Sequence, residues 1–200
     1  PHAFDKIDTT ILEVVKQNII SVYKTVSYQN TVENIARKDQ FSELNSAEYI
    51  YGKGKQTIDK YDTSTVCMFK IINLEEINKK YSRETGNEII TEVSSYIKNS
   101  ISQEYIFVRY MGPKFAIVFS GVDLQSVAEF VQDLKNNIED IEIEEVLQKE
   151  SNKKKKQFVG AKLNFVLTTY YKGTAIENVT KKLEEYLDSA DKNESDINNI

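Results

Sequence analysis

The sequence predicts an α/β domain, a mixed and mainly antiparallel central sheet flanked by helices, behind one long N-terminal helix. Three observations predict it. Apolar residues recur at three- and four-residue steps in some segments and form β-branched runs in others, so helices and strands both occur. The two kinds alternate along the chain, which favours helices laid on a sheet. One pair of strands is joined by a turn too short for a crossover, so the sheet cannot be wholly parallel.

The long helix is predicted from residue 5 to about 38. Ile7, Ile11, Val15, Ile19, Val22 and Val26 make one apolar stripe, with Asp8 or Thr9 as its N-cap. The stripe either packs on its own domain or meets a partner helix; its spacing is not a clean heptad. Residues 39–62 are polar, and Gly52 and Gly54 weaken a short helix there. Then follow a strand over Ser64–Ile72, a short helix over Leu74–Tyr81 and a longer helix over Gly86–Ser100 with Ile89, Ile90, Val93 and Ile97 on one face. A hairpin pairs Tyr105–Tyr110 with Lys114–Ser120 around the only internal proline, Pro113. Asp123–Ile138 is an amphipathic helix with Val127, Phe130, Val131 and Leu134 facing inward. Acids from Glu139 to Glu145 and then Lys153–Lys156 read as a solvated loop, with a basic docking patch as the lesser reading. A strand over Val159–Tyr171 and a helix over Thr174–Leu187 complete the domain. The division is therefore a helix (1–38), a globular domain (39–192) and a polar, frayed tail (193–200).

Composition excludes several classes of function. The net charge of -5 gives no general attraction to nucleic acid or anionic membrane. Only Arg37, Arg83 and Arg109 are arginines, few for a phosphate-reading surface. No apolar run approaches the roughly 20 residues of a membrane-spanning helix. Cys67 lies in the apolar run Val66–Phe69 and reads as core; the lone cysteine forbids an internal disulfide and fits a reducing, cytoplasmic setting. His2 is the only histidine, so histidine catalysis and histidine metal sites are not expected. The chain begins at Pro1 without a signal-peptide pattern and reads as a piece of a longer protein, even a membrane-anchored one.

Four motifs occur in order. Asp39-Gln40-Phe41-Ser42-Glu43-Leu44-Asn45-Ser46 is an opening turn. Phe69-Lys70-Ile71-Ile72-Asn73-Leu74-Glu75-Glu76-Ile77-Asn78-Lys79-Lys80-Tyr81 runs from strand to helix. Gly86-Asn87-Glu88-Ile89-Ile90 opens the next helix, and Arg109-Tyr110-Met111-Gly112-Pro113-Lys114-Phe115 turns the hairpin. Over residues 39 to about 190 this set resembles the GGDEF family of bacterial diguanylate cyclases, which has a palm-like fold and takes part in cyclic-di-GMP signalling. The family motifs are Asp-x-Leu-Thr-Gly-Leu-x-Asn, Asp-x-Asp-x-Phe-Lys-x-Ile-Asn-Asp-x-Tyr, Gly-Asp-x-x-Leu and Arg-x-Gly-Gly-Asp-Glu-Phe. The helix before Asp39 resembles the signalling helix that joins such domains to an upstream sensor, often the last helix of a GAF domain.

The resemblance implies that acids at Lys70, Pro113 and Lys114 would hold divalent cations. Magnesium needs hard oxygen ligands, and a lysine ammonium has donors only. The signature Met111, Gly112, Pro113, Lys114 and Phe115 is thus degenerate, and neither metal nor cofactor is expected. Pro113 also removes a backbone donor. Ser82 and Arg83 replace the family's Gly-His pair, and Asp62 precedes the strand and cannot substitute as a ligand. The family's phosphate-binding lysine falls at Glu75. Either Glu75 pairs with Lys70 or Lys114 and fills the old metal pocket, or all three reach solvent. Asn78 matches a guanine-contacting asparagine and Asn87 stands where a guanine-reading aspartate is expected, so Asn78, Asn87, Lys70 and Lys114 form a possible nucleotide site. The family's inhibitory Arg-x-x-Asp falls at Ser102 and Tyr105, which lack the guanidinium fork.

The expected function is a catalytically inactive GGDEF-like signalling domain that dimerises through its N-terminal helix and meets another signalling protein or an upstream sensor. The alternative is a metal-independent receptor for a guanine nucleotide or cyclic dinucleotide. An active cyclase is the least favoured reading.

Overall fold

The computed structural model describes residues 3–36, 38–148, 154–190 and 196–200, with side chains described for 9–26, 38–143, 158–190 and 196–200. The chain divides into two units, Pro1–Lys38 and Asp39–Ile200.

The first unit is helix α1, Ala3–Ala36. It starts ahead of Asp8 and Thr9, so the expected cap is not at its N-terminus. Leu12, Val15, Ile19, Val22 and Val26 are all exposed.

The second unit contains β1 (Asn45–Ser46), a π-helical turn (Ile50–Gly54) running into α2 (Lys55–Ile58), β2 (Thr63–Ile71), α3 (Leu74–Lys80), α4 (Arg83–Ser100), β3 (Ile106–Met111), β4 (Lys114–Ser120), α5 (Leu124–Glu139), β5 (Glu142–Gln148), β6 (Lys154–Gly160), β7 (Leu163–Tyr171), α6 (Ile176–Ser189) and β8 (Ile197–Asn199). One sheet has the order β1-β3-β4-β2-β7-β8. The pairs β2–β4, β2–β7 and β3–β4 are antiparallel, while β1–β3 and β7–β8 are parallel.

Helices cover both faces because the strands alternate two apolar sets. Cys67, Phe69, Phe115, Ile117, Phe165 and Leu167 pack against α3, α4 and α5. Val66, Met68, Ala116, Val118, Val166 and Tyr170 face Ile50, Ile58 and the Ile176, Leu183 and Leu187 stripe of α6. Cys67 is fully buried, and burial pushes its thiol well above the ordinary range. Lys70 and Lys114 share strand parity with Met68 and Ala116, which aims them at the α6 face.

Four expectations are corrected. The charge-segregated stretch after α5 is not a loop but the antiparallel ribbon β5–β6, in which Val146 sits opposite Lys156 and Gln148 opposite Lys154. The register sets Glu142, Glu144 and Glu145 opposite Gly160, Phe158 and Gln157, so backbone pairing and not facing opposite charges carries the ribbon. Lys153 lies outside the described residues. The single strand expected over Val159–Tyr171 is broken at Ala161–Lys162. There the Asn73 amide donates to Gly160 O (2.9 Å) and accepts from Lys162 N (2.9 Å), pinning the corner to the end of β2. Helix α4 begins before Gly86, since the Ser82 hydroxyl caps it by accepting from Thr85 N at 3.1 Å. Finally, Ile197–Asn199 of the supposed frayed tail is a parallel edge strand. Ile197 meets one core and Ile200 the other, and Asn164 Oδ1 accepts from Asp196 N at 2.6 Å. Residues 193–195 lie outside the described residues.

Candidate functional site

The hairpin β3–β4 turns through Gly112, whose φ of 57° is the left-handed conformation that glycine adopts without penalty. The pairing slips by one residue: Arg109 faces Phe115, but Met111 faces Lys114. Arg109 holds the turn from beneath. Its Nε donates to Gly112 O at 2.7 Å, its guanidinium lies 4.6 Å from the centre of the Phe115 ring, and Nη1 is 3.6 Å from Asp39 Oδ1. Burial pulls the guanidinium pKa down, and the Asp39 charge opposes that. Burial alone would raise Asp39, yet the Ser42 amide and hydroxyl (each 2.8 Å) together with Arg109 hold it below the ordinary carboxylate range. Asp39 thereby ties the opening turn to the signature hairpin.

Lys114 stands directly across β2–β4 from Lys70. Like charges placed opposite one another in a sheet are unfavourable, and here helix α6 supplies the counter-charge. Lys114 is 7% exposed, and its Nζ donates to Glu184 Oε1 at 2.8 Å and to Asp188 Oδ2 at 2.7 Å. The other Asp188 oxygen accepts from Lys70 Nζ at 3.3 Å. Burial would lower the Lys114 pKa, but Asp188 and Glu184 outweigh it and raise it. The Lys114 hydrogen bond holds Asp188 low, against burial and with help from Lys70. Alongside, Tyr51 joins the Tyr110 hydroxyl (3.3 Å) to Thr180 (3.0 Å).

These residues do not fit a divalent cation. The two inward positions of the hairpin and strand carry ammonium groups already engaged with carboxylates. Among the described residues no group of three or more His, Cys, Asp or Glu side chains is placed to hold a metal ion. The pairing expected of Glu75 is also corrected, since Glu75 forms its ion pair with Lys79 at 2.6 Å, one helical turn away. The acids that meet the lysines are Glu184 and Asp188, which the sequence reading missed. Their signal was present: Thr180, Glu184 and Asp188 recur every fourth residue beside the apolar stripe of α6.

Asn78 sits at the α3–α4 contact, and Asn87 follows Gly86 in α4. Asn78 lies on Gly86, where a Cβ would stand 1.9 Å from Asn78 Oδ1. Asn78 thus belongs to the α3–α4 contact and the two lysines to the α6 cluster. A cavity of about 460 Å³ opens at the start of α3, lined by Asn73, Glu75, Glu76, Lys79, Lys80 and Lys162 over Ile72. Ser102 and Tyr105 fall on a second cavity of about 330 Å³, where Ile101, Tyr105, Phe119, Val127 and Phe130 make an apolar lining. Among the described residues no charged side chain lines it.

A sheet covered on both faces, with the Arg109–Phe115 hairpin beside a strand ending at Lys70 and Ile71, defines a palm-like α/β domain. Residues 36–197 match the family described as the diguanylate cyclase GGDEF domain, and the chain belongs to that family. Its fold is similar to the coiled coil and GGDEF domain of DgcB from Caulobacter crescentus, in complex with c-di-GMP. The TM-score is 0.72 at 14% identity, covering 96% of this chain and 100% of that one. It is also similar to the diguanylate cyclase SiaD from Pseudomonas aeruginosa in complex with its activator SiaC, with a TM-score of 0.67 at 9% identity, covering 98% of this chain and 73% of that one. Over 94 residues it is 28% identical to the uncharacterised protein YtrP of Bacillus subtilis, covering 47% of this chain and 16% of that protein. The chain therefore spans a small part of that relative's length. Among the described residues no helix is long and apolar enough to cross a membrane.

Proposed function

We propose that this GGDEF domain makes no cyclic dinucleotide and serves as a protein-interaction module, dimerising through α1. One observation carries the loss of catalysis. At the second acidic position of the signature stands Lys114, buried and joined to two carboxylates within 2.8 Å. Phosphoryl transfer in this family needs metal-neutralised charge at that place, and an engaged ammonium offers no lone pair to a metal. The positive role is supported by the exposed row Leu12, Val15, Ile19, Val22 and Val26 on α1, a contiguous apolar surface of the kind that marks contact with a partner. The DgcB structure to which the chain is similar includes a coiled coil, and SiaD was captured with a protein activator; both favour helix- and protein-mediated coupling. In a larger protein, such a helix would couple an upstream sensor to this domain.

A second reading, a receptor that holds a guanine nucleotide or cyclic dinucleotide without metal, is favoured by the cavity of about 460 Å³, which Lys79 and Lys80 of α3 line together with Lys162. Two measurements separate the readings. Light scattering should find a dimer that Val15→Asp plus Val22→Asp converts to monomer, and GTP with magnesium or manganese should remain unconverted. Saturable binding of GTP or cyclic-di-GMP that Lys80→Glu plus Lys162→Glu abolishes would favour the receptor. Turnover of GTP would overturn both.

A further inference from the structure

We propose that the cavity of about 330 Å³ between the end of α4 and the start of α5 is a binding site for a small neutral aromatic molecule carrying an N–H or O–H donor. The inference goes beyond the proposed function, and neither depends on the other.

The cavity forms where two turns diverge. On one side α4 ends at Ser100, Ile101 is extended, and Tyr105 N donates to Ser102 O at 3.1 Å before β3 begins. On the other side β4 ends at Ser120, and Gly121 takes a φ of 73° ahead of α5. Phe119 and Val127 lie deepest, each 2% exposed. Ile101, Tyr105, Val122 and Phe130 are half-buried and pack on the same core. Three small residues, Ser100, Ser102 and Ser126, are exposed and line the mouth. The aromatic rings fix one another. Tyr105 meets Phe119 at 5.1 Å and 59°, and Phe130 meets it at 6.0 Å and 74°. Asp123 fixes the start of α5 by accepting from Ser126 N at 3.0 Å and from Ser126 Oγ at 2.7 Å. The hollow is therefore preformed, with an apolar interior and a few polar groups at its rim, the usual build of a small-molecule site.

The lining selects the ligand. Three tilted aromatic rings among aliphatic side chains suit a flat ring system that can meet them by edge or face. The hydroxyl protons of Ser126 and Ser100 are committed to Asp123 and to Tyr96 O (2.8 Å), so these two oxygens offer the ligand acceptors. Ser102 Oγ accepts from Glu104 N at 3.3 Å and keeps a proton to donate. Among the described residues no cation lines the cavity, and the charged group bonded to its rim is the Asp123 carboxylate. An anionic ligand would lose its hydration there and find no counter-charge. Ser102 and Tyr105, which fall at the Arg-x-x-Asp positions of the resemblance, thus serve a site of opposite chemistry.

The test is a methyl NMR titration of the whole chain with indole as the probe. Indole should saturate and shift the methyl resonances of Ile101, Val122 and Val127 through its ring current, while Ile58 and Leu187 in the other core stay in place. Ser126→Ala should weaken binding by about 3–10-fold through the lost acceptor. Ser102→Trp, at an exposed position outside the helices and strands, should close the mouth and remove the response. Indole-3-acetate, the same ring with a carboxylate, should bind more weakly than indole. Absent or unsaturating shifts, or equal shifts at Ile58 and Leu187, overturn the site. So does a response that both variants keep in full. Indole-3-acetate binding as tightly as indole overturns the assignment of a neutral ligand.

Discussion

Gly86, in the first turn of α4, lies against Asn78, and the two should be coupled strongly enough for a substitution at one to change sign with the other. An alanine methyl at position 86 would lie 1.9 Å from Asn78 Oδ1, 2.9 Å from its Cγ and 3.4 Å from Leu74 Cδ1. The first two separations are well inside van der Waals contact, so the Asn78 amide must leave its place. Overpacking of this kind costs about 1–3 kcal/mol, whereas replacing a helical glycine by alanine gains up to about 1 kcal/mol. Gly86→Ala should therefore be net destabilising by about 1 kcal/mol. In the Asn78→Ala background the obstructing amide is gone, only the ordinary contact with Leu74 remains, and the same change should stabilise by about 0.5–1 kcal/mol. The coupling in this cycle is then about 1.5–2 kcal/mol, beyond the error of additivity for separate sites. Urea denaturation of the four chains at one pH measures it. A Gly86→Ala effect of equal sign and size in both backgrounds would refute the packing argument, and with it the placement of Asn78 on Gly86.

Three further outcomes are expected. Glu43 has a φ of 55°, a left-handed conformation in the opening turn where the family motif carries glycine; Glu43→Gly should relieve about 1–2 kcal/mol of strain, lose up to about 1 kcal/mol to the freer unfolded chain, and raise the urea midpoint. Ser82 caps α4, so Ser82→Ala should cost about 1 kcal/mol while Ser82→Gly, the family's residue there, should cost only a few tenths; equal losses would count against the cap. Asp39 and Asp188 have folded pKa values below their unfolded ones, so the stability they give is present above about pH 4 and is lost as pH falls through the folded values. Asp188→Asn should flatten part of that acid limb, modestly because Asp188 is half exposed and water screens it; an unchanged limb would remove Asp188 from the account.

The sequence was most readable where a local pattern decides the structure. The stripe of α1 and the β-branched run of β2 each carry their period in consecutive residues. Pairing between distant segments left weaker traces. The ribbon β5–β6 reads as a loop from its local charge, because the pairing of Glu142–Gln148 with Lys154–Gly160 leaves no period in either segment alone. Ile197–Asn199 is too short to announce a strand, and its backbone groups are satisfied only because β7 offers a free edge. The same limit governs the site. Lys70 and Lys114 were visible in their motifs, but the acids that meet them come from α6, 70 and 74 residues beyond Lys114. Glu75 was the acid in view from the motif, and its helix directs it to Lys79 instead.

The signature hairpin shows which of its residues the fold itself requires. Phe115 is retained, and its ring stacks on Phe69 at 4.9 Å and 5°, in a row continued by Phe165 at 5.0 Å from Phe69. Gly112 is retained at a positive φ, and Arg109 is retained beneath it, bound to its carbonyl and reaching toward Asp39. Aromatic stacking, a left-handed turn and a partly buried cation each constrain residue type by physics that has nothing to do with nucleotide chemistry. The departures are Met111, which is exposed, Pro113, whose carbonyl still accepts from Ile71 N at 3.0 Å, and Lys114, whose charge α6 balances. None of the three breaks a contact that the sheet depends on. A GGDEF scaffold can therefore exchange the acids of its signature and keep its hairpin in register, provided another element supplies counter-charge. In this chain that element is α6, which makes Glu184 and Asp188 as much a part of the altered signature as Lys114 itself.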